Sequence, residues 1–194
     1  MTYVLTQRPA VTRMRSETEG QPESLLWRRR CGMVTVHDLK QFNLFVGLDE
    51  PELAQIARLC ARRTYESGAE IFSPGAPAGD IFMLEGGNDA VQIEINLCEH
   101  APRTVLHTLQ KGEVFGWAAL VPPHQRTATA RCVEKASVIC LNGKDLLELL
   151  EKNDHMGYVV MRNLSGILST RLTYTTLVLR REIRKVAKRL VTAS

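Results

Sequence analysis

The feature that most constrains the fold is a series of short apolar runs between residues 62 and 141, with glycine-containing turns between them. The runs are Ile71-Phe72, Ile81 to Leu84, Ala90 to Ile95, Thr104 to Leu109, Ala128 to Val133 and Ser137 to Leu141. The turns are Ser67-Gly68, Pro74-Gly75, Gly79-Asp80, Gly86-Gly87 and Lys111-Gly112. Strands at such regular spacing predict an antiparallel sandwich or barrel.

Helical patterns flank this β region on both sides. A short helix is expected from Val36 with Thr35 as its cap, and a second after Asp49 with Pro51 in its first turn. Apolar residues at helical spacing extend this second helix to Cys60. After Asn142-Gly143 a leucine-rich segment leads to a long helix over residues 156–190. The predicted class is α+β, mainly β, with short N-terminal helices and a long C-terminal helix.

Length and charge divide the chain into three parts. The 194 residues, 44% of them hydrophobic, suffice for one core with appendages. We expect a basic arm over residues 1–34, a β-roll with flanking helices over 35–155, and the long helix with its basic end over 156–194. Within the arm, Trp27 precedes three arginines, and we favour a tether to its own domain over an anchor on a partner.

Several classes of function find no support in the sequence. The five cysteines are odd in number and form no C-x-x-C pair, so neither a disulfide framework nor a zinc site is expected. The five histidines are scattered, which argues against a cupin-type metal site, and nothing points to a haem sensor. No nucleophile, Walker or Rossmann motif is present, so we expect no enzyme. No apolar run is long enough to span a membrane, and a cytoplasmic location is the expectation.

The long helix carries two side-chain patterns. Apolar residues recur at steps of three and four, which is typical of a seam between two helices. Packing on its own roll is the alternative, but a length of about 50 Å exceeds what a roll can cover. A homodimer or partner interface is therefore predicted at Leu168, Leu172, Leu179, Ile183 and Val186.

The basic end of this helix is the second pattern. It could contact nucleic acid, lipid headgroups or an acidic partner, although a solvated helix face is favoured. The cluster comprises Arg180, Arg181, Arg184, Lys185, Lys188 and Arg189.

Residues 112–130 contain the most informative motif. A strand ends at a glycine turn, a short helix begins at Gly116, Pro122-Pro123 stops it, and Arg126 leads into a new strand. A helix N-terminus offers free N–H groups, and a nearby guanidinium can complete a phosphate cradle. The motif therefore predicts a site for a small anion. The alternative is that Arg126 pairs with an acidic neighbour such as Asp80.

The stretches Phe115 to Leu120 and Arg126-Thr127-Ala128 resemble the phosphate-binding cassette of cyclic nucleotide-binding domains, as found in catabolite activator proteins, protein kinase regulatory subunits and nucleotide-gated channels. The resemblance covers about residues 38–172. It implies an eight-stranded antiparallel β-roll of the jelly-roll or cupin-like type, with the long helix as a lid over the base. It further implies that Arg126 pairs with the cyclic phosphate, while Thr127 and the N–H groups of Ala118 and Ala119 add hydrogen bonds. Gly116 and Ala128 complete the cassette.

One position departs from this family pattern. Where the family has a glutamate that accepts the ribose 2′-hydroxyl, this chain has Trp117, and an indole can only donate. Loss of such a bond corresponds to about ten- to a hundredfold in affinity.

Two hypotheses follow from this departure. The first is a non-catalytic sensor that binds a nucleotide or other phosphate-bearing effector, without sequence-specific DNA binding. The second is a degenerate, ligand-free domain that serves as an interaction or scaffolding subunit. If Trp117 fills the pocket, the second hypothesis is favoured. If its side chain lies elsewhere, the first is favoured, with an effector other than a standard cyclic nucleotide.

Overall fold

A computed structural model describes residues 32–87, 89–97 and 102–192, with side chains as far as residue 188. The predictions for the arm over residues 1–31, including the role of Trp27, lie outside the described residues.

The described part of the chain contains four α-helices and eight strands. The helices are α1 (Val36–Leu39), α2 (Glu50–Ala57), α3 (Gly143–Glu151) and α4 (Asp154–Thr192), with 3₁₀ turns at Asn43–Phe45 and Trp117–Ala119. The strands are β1 (Cys60–Tyr65), β2 (Glu70–Phe72), β3 (Asp80–Gly86), β4 (Val91–Ile95), β5 (Thr104–Leu109), β6 (Val114–Phe115), β7 (Thr129–Cys132) and β8 (Ala136–Asn142).

The strands form two four-stranded sheets, in the orders β1-β8-β3-β6 and β2-β7-β4-β5. Every pairing between these strands is antiparallel. The predicted eight-stranded antiparallel roll with short N-terminal helices and a long C-terminal helix is therefore confirmed.

Side-chain caps fix the two N-terminal helices as the sequence predicts. The Thr35 side chain accepts a hydrogen bond from the Asp38 amide, and the Asp49 side chain accepts one from the Glu52 amide at 2.8 Å. In each case the acidic side chain also accepts a bond from the cap residue's own N–H, so two otherwise unpaired donors are satisfied.

Two strands were missed by the sequence pattern. Helix α2 ends at Ala57, not at Cys60, and Cys60 begins β1, where it pairs with Leu141 of β8. The polar sequence of β1 carries no alternation, so its conformation depends on this long-range pairing. The two-residue strand β6 is too short to show a period, and it pairs with β3.

The sheet that contains β3 and β8 separates two apolar clusters. Alternate residues of β3, such as Ile81 and Met83, pack with the helices in what we call the helix-side cluster. Phe82 and Leu84 belong to the opposite, roll-interior cluster together with residues of the second sheet. This alternation follows from the two-residue period of a strand.

Helix α4 packs on the roll only over its first part. Met156, Val160 and Leu164 are buried in the helix-side cluster, and Leu168 packs against its margin. Farther along, Leu172 and Ile183 are exposed to 69% and 68%. The first residue of the predicted seam therefore contacts its own core, whereas the later part of the seam faces outward.

Candidate phosphate-binding site

The motif that begins at Gly116 is shaped by a backbone conformation that favours glycine. Gly116 has φ +73°, in the left-handed region. A Cβ at this position would lie 2.8 Å from the Phe82 ring and 2.9 Å from Arg126 Nη1. The glycine therefore allows the chain to turn sharply after β6 while the arginine approaches its backbone.

The predicted short helix after Gly116 is a single 3₁₀ turn, Trp117–Ala119. The Ala119 amide donates to the Gly116 carbonyl at 3.2 Å, so one N–H assigned to the ligand already has an intramolecular partner. Because a three-residue turn aligns few peptide dipoles, its electrostatic contribution is smaller than that of the helix predicted from the sequence. The positive charge at this site comes mainly from Arg126.

The Arg126 side chain is buried, with the residue only 5% exposed. Nη1 donates to the Gly116 carbonyl at 2.7 Å, and Nη2 donates to the Asp80 carbonyl. The guanidinium carbon lies 4.4 Å from the centroid of the Phe72 ring and 5.6 Å from that of Phe82. The guanidinium thus sits against two aromatic rings beside the cassette backbone.

The backbone at Arg126 is fixed by the loop that precedes β3. The Gly75 amide donates to the Arg126 carbonyl at 2.8 Å, and the Arg126 amide donates to the Ala76 carbonyl at 3.0 Å. These two bonds fix the backbone of the segment that leads into β7.

Arg126 has no counter-ion among residues 32–87, 89–97 and 102–188. The alternative pairing with the Asp80 carboxylate is not formed, since Asp80 offers its main-chain carbonyl while its carboxylate accepts a bond from Asn142 at 3.3 Å. Burial lowers the pKa of Arg126, and the nearby Asp80 charge only partly opposes that effect. Arg126 Nε is also buried without a hydrogen-bond partner. A buried, incompletely satisfied cation is costly, and an anion would relieve that cost.

Trp117 does not belong to the roll interior. Its half-buried side chain packs against the helix-side cluster, whereas the roll interior next to Arg126 is lined by Phe72, Phe82 and Phe115. Because the Trp117 side chain does not fill the roll interior, its position favours the effector hypothesis over the hypothesis of a degenerate, ligand-free domain.

The structure brings some of the predicted site residues together and leaves others apart. Gly116 and Arg126 are in direct contact, and Ala119 is buried beneath them in the cassette. Ala118 and Ala128 are half-buried, and Thr127 is exposed. The ligand contacts expected of Ala118, Thr127 and Ala128 stay predictions.

Sequence reasoning missed a polar cluster that joins the cassette to α4. Glu113 Oε2 contacts His107 Nε2 and accepts a bond from the Gln110 amide, both at 2.8 Å. Arg171 of α4 approaches Glu113 Oε1 at 3.8 Å, and the Tyr174 ring lies 5.8 Å from that of His107. Because the residues come from separate elements, no sequence spacing indicates the cluster. It borders a groove of about 580 Å³ beside α4.

A second contact joins the cassette to the helices at Gly143, the first residue of α3. A Cβ there would lie 2.6 Å from the Ala119 carbonyl oxygen, which is closer than real Cβ atoms approach. The Gly143 amide also donates to the Gly79 carbonyl at 2.8 Å. The 3₁₀ turn of the cassette therefore packs directly on the start of α3.

Two features of other protein classes are absent from the described residues. Within the described ranges, no three His, Cys, Asp or Glu side chains are grouped so as to hold a metal ion. In the same part of the chain, no helix combines the length and apolar character needed to cross a membrane.

Fold and site together define an antiparallel β-roll with a buried arginine next to a glycine turn. The family model described as "Cyclic nucleotide-binding domain" matches residues 62–153. This part of the chain belongs to the cyclic nucleotide-binding domain family.

The chain is similar to part of an enzyme and to part of a catabolite activator protein. The chain is 33% identical over 148 residues to glutaminase 1 of Bradyrhizobium diazoefficiens, a match that covers 74% of this chain and 23% of the enzyme. It therefore spans less than a quarter of that relative's length. The catabolite activator protein of Thermus thermophilus is 28% identical with a TM-score of 0.59, over 71% of this chain and 62% of that protein.

A third comparison concerns the fold alone. The regulatory domain of Toxoplasma gondii PKA, solved with cAMP, is 19% identical with a TM-score of 0.57, over 72% of this chain and 51% of that protein.

Proposed function

We propose that this chain is a non-catalytic regulatory domain that binds a cyclic nucleotide or another small phosphate-bearing effector at Arg126. The observation that carries the proposal is the buried guanidinium, which has neither a counter-ion nor a partner for its Nε among the described side chains. The guanidinium now donates to two main-chain carbonyls, and a phosphate would add an acceptor that carries the opposite charge. The family to which residues 62–153 belong supports the same ligand class.

The rings beside Arg126 favour a ligand with an apolar or aromatic body. Phe72, Phe82 and Phe115 form a cluster with ring centroids 5.3–6.2 Å apart. Apolar lining with a few convergent polar groups is typical of small-molecule sites. A nucleotide combines both chemistries, since its phosphate suits the arginine and its base suits an apolar environment.

Ligand binding would change the position of α4 through the cluster around Glu113. Glu113 directly precedes β6 and lies three residues before Gly116. Its carboxylate contacts His107 of the roll, and Arg171 approaches the same carboxylate from α4. A shift of the cassette towards a phosphate would change the distance between Glu113 and Arg171. A ligand can shift an equilibrium between two positions of α4 only if it binds the protein in those two states with different affinity.

Titration calorimetry with cAMP and with cGMP tests the proposal. We expect micromolar binding by the full chain and a loss of at least a hundredfold in Arg126→Gln. The matched control is Arg58→Gln, which removes an exposed arginine at the end of α2 and should leave the affinity unchanged. Absence of binding by the native chain, or equal binding by Arg126→Gln, would reject the proposal and favour the scaffolding hypothesis.

A further inference from the structure

The part of α4 beyond Tyr174 carries a face of positive charge that the effector site does not use. A shallow groove of about 390 Å³ is lined solely by side chains of this helix. The lining residues are Leu177, Arg180, Arg181, Arg184, Lys185 and Lys188. Because five cations and one leucine border the same groove, these cations share one side of the helix.

The one acidic side chain paired with this basic face, among the ion pairs of the described residues, neutralises only part of it. Glu182 pairs with Lys185 at 2.6 Å and is not among the residues that line the groove. Arg180, Arg181 and Arg184 are exposed and form no ion pair with any residue whose side chain the structure describes. The three guanidinium groups are therefore available to an external anion.

Helix stability does not account for the cluster. Cations near a helix C-terminus interact favourably with the helix dipole, but the effect is confined to the last turn. Arg180, Arg181 and Arg184 lie more than two turns before Thr192, where α4 ends. Arg180 and Arg184 are also four residues apart, and like charges at that spacing repel one another. The arrangement costs stability unless a partner supplies negative charge.

We infer that this basic face binds the phosphate backbone of a nucleic acid without reading its sequence. The exposed apolar residues Leu172, Ile183 and Val186 are not among those that line the basic groove. A helix on a membrane inserts its apolar side into the lipid and keeps its basic residues on the opposite face. In this chain the apolar side is the predicted seam with a second copy, so a dimer leaves only the basic face for another partner. A nucleic acid would instead contact the basic face directly and leave the apolar residues for a second copy of the chain. Backbone contacts of this kind carry no base specificity.

The salt dependence of binding tests this inference. Fluorescence anisotropy with a labelled 20-base-pair DNA duplex, and with the matching RNA duplex, is measured on the full chain between 50 and 200 mM NaCl. About three phosphate contacts, one for each of these guanidinium groups, predict a slope of log K against log salt near −2.7, or roughly a 40-fold loss over this range. Arg180→Gln/Arg184→Gln should reduce the slope to about a third, since glutamine preserves the helix while removing two charges.

The control is Lys144→Gln/Lys152→Gln, which removes two exposed positive charges around α3 and should keep the full slope. No binding to either duplex at 50 mM NaCl, or an unchanged slope in Arg180→Gln/Arg184→Gln, would overturn the inference. Binding only to phosphatidylserine vesicles, abolished by Ile183→Asn, would overturn it in favour of a membrane surface. Because Arg126 is not involved, failure here leaves the effector proposal intact.

Discussion

Replacement of Gly116 by alanine tests whether the cassette needs the close approach of Arg126 and Phe82 to its backbone. The left-handed φ of +73° costs a non-glycine residue about 1–2 kcal/mol. The new Cβ would lie 2.8 Å from the Phe82 ring, and overpacking of this kind costs about 1–3 kcal/mol. Alanine recovers about 0.4–1 kcal/mol by restricting the unfolded chain.

The net expectation for Gly116→Ala is a loss of about 1–5 kcal/mol in the free energy of unfolding. Urea denaturation followed by circular dichroism at 222 nm measures this quantity directly. The matched control is Gly166→Ala on α4, where a Cβ would meet nothing within 4 Å and the helix should gain roughly 0.5–1 kcal/mol. If Gly116→Ala unfolds within 0.5 kcal/mol of the native chain, the cassette relaxes freely and the geometric argument is wrong.

Three further predictions concern separate parts of the molecule. Burial raises the pKa of Glu113, but hydrogen bonding with His107 and the Gln110 amide outweighs burial and lowers that pKa overall. The stabilisation by Glu113 should therefore be complete above its unfolded pKa and disappear as pH falls through its folded pKa. Urea titrations of Glu113→Gln and the native chain should converge once the pH lies below that folded pKa. Because the Trp117 side chain lies in the helix-side cluster, cAMP and 2′-deoxy-cAMP should bind within about threefold of each other by calorimetry, and a preference above tenfold for cAMP would reveal an unrecognised 2′-hydroxyl acceptor. Sedimentation equilibrium should show a dimer of the native chain and a monomer of Ile183→Asp with unchanged helix content, whereas a native monomer would contradict the predicted seam.

Packing within the same chain explains only part of the apolar seam of α4. Leu168 packs on the helix-side cluster, so intramolecular packing accounts for the beginning of the pattern. Leu172, Ile183 and Val186 stay more than half exposed, and that exposure motivates the dimer prediction. A heptad-like pattern cannot distinguish the two uses, because packing on a roll and packing on another helix require the same spacing.

The amino-acid sequence by itself determined the class of fold, the helix starts at Thr35 and Asp49, and the motif that contains Gly116 and Arg126. These features depend on local chemistry, namely regular turns between short strands, side-chain caps, and the linear spacing of a motif. They could be predicted because each is encoded within a few neighbouring residues.

Only the tertiary structure decided where Trp117 packs, that Arg126 lacks a counter-ion within the described part of the chain, and that β1 is a strand. It also assembled Glu113, His107 and Arg171 from three different elements. The physical reason is the same in each case. Burial, ion pairing and strand pairing depend on residues distant in sequence, and their partners are set by the packing of the sheets and helices rather than by local propensity.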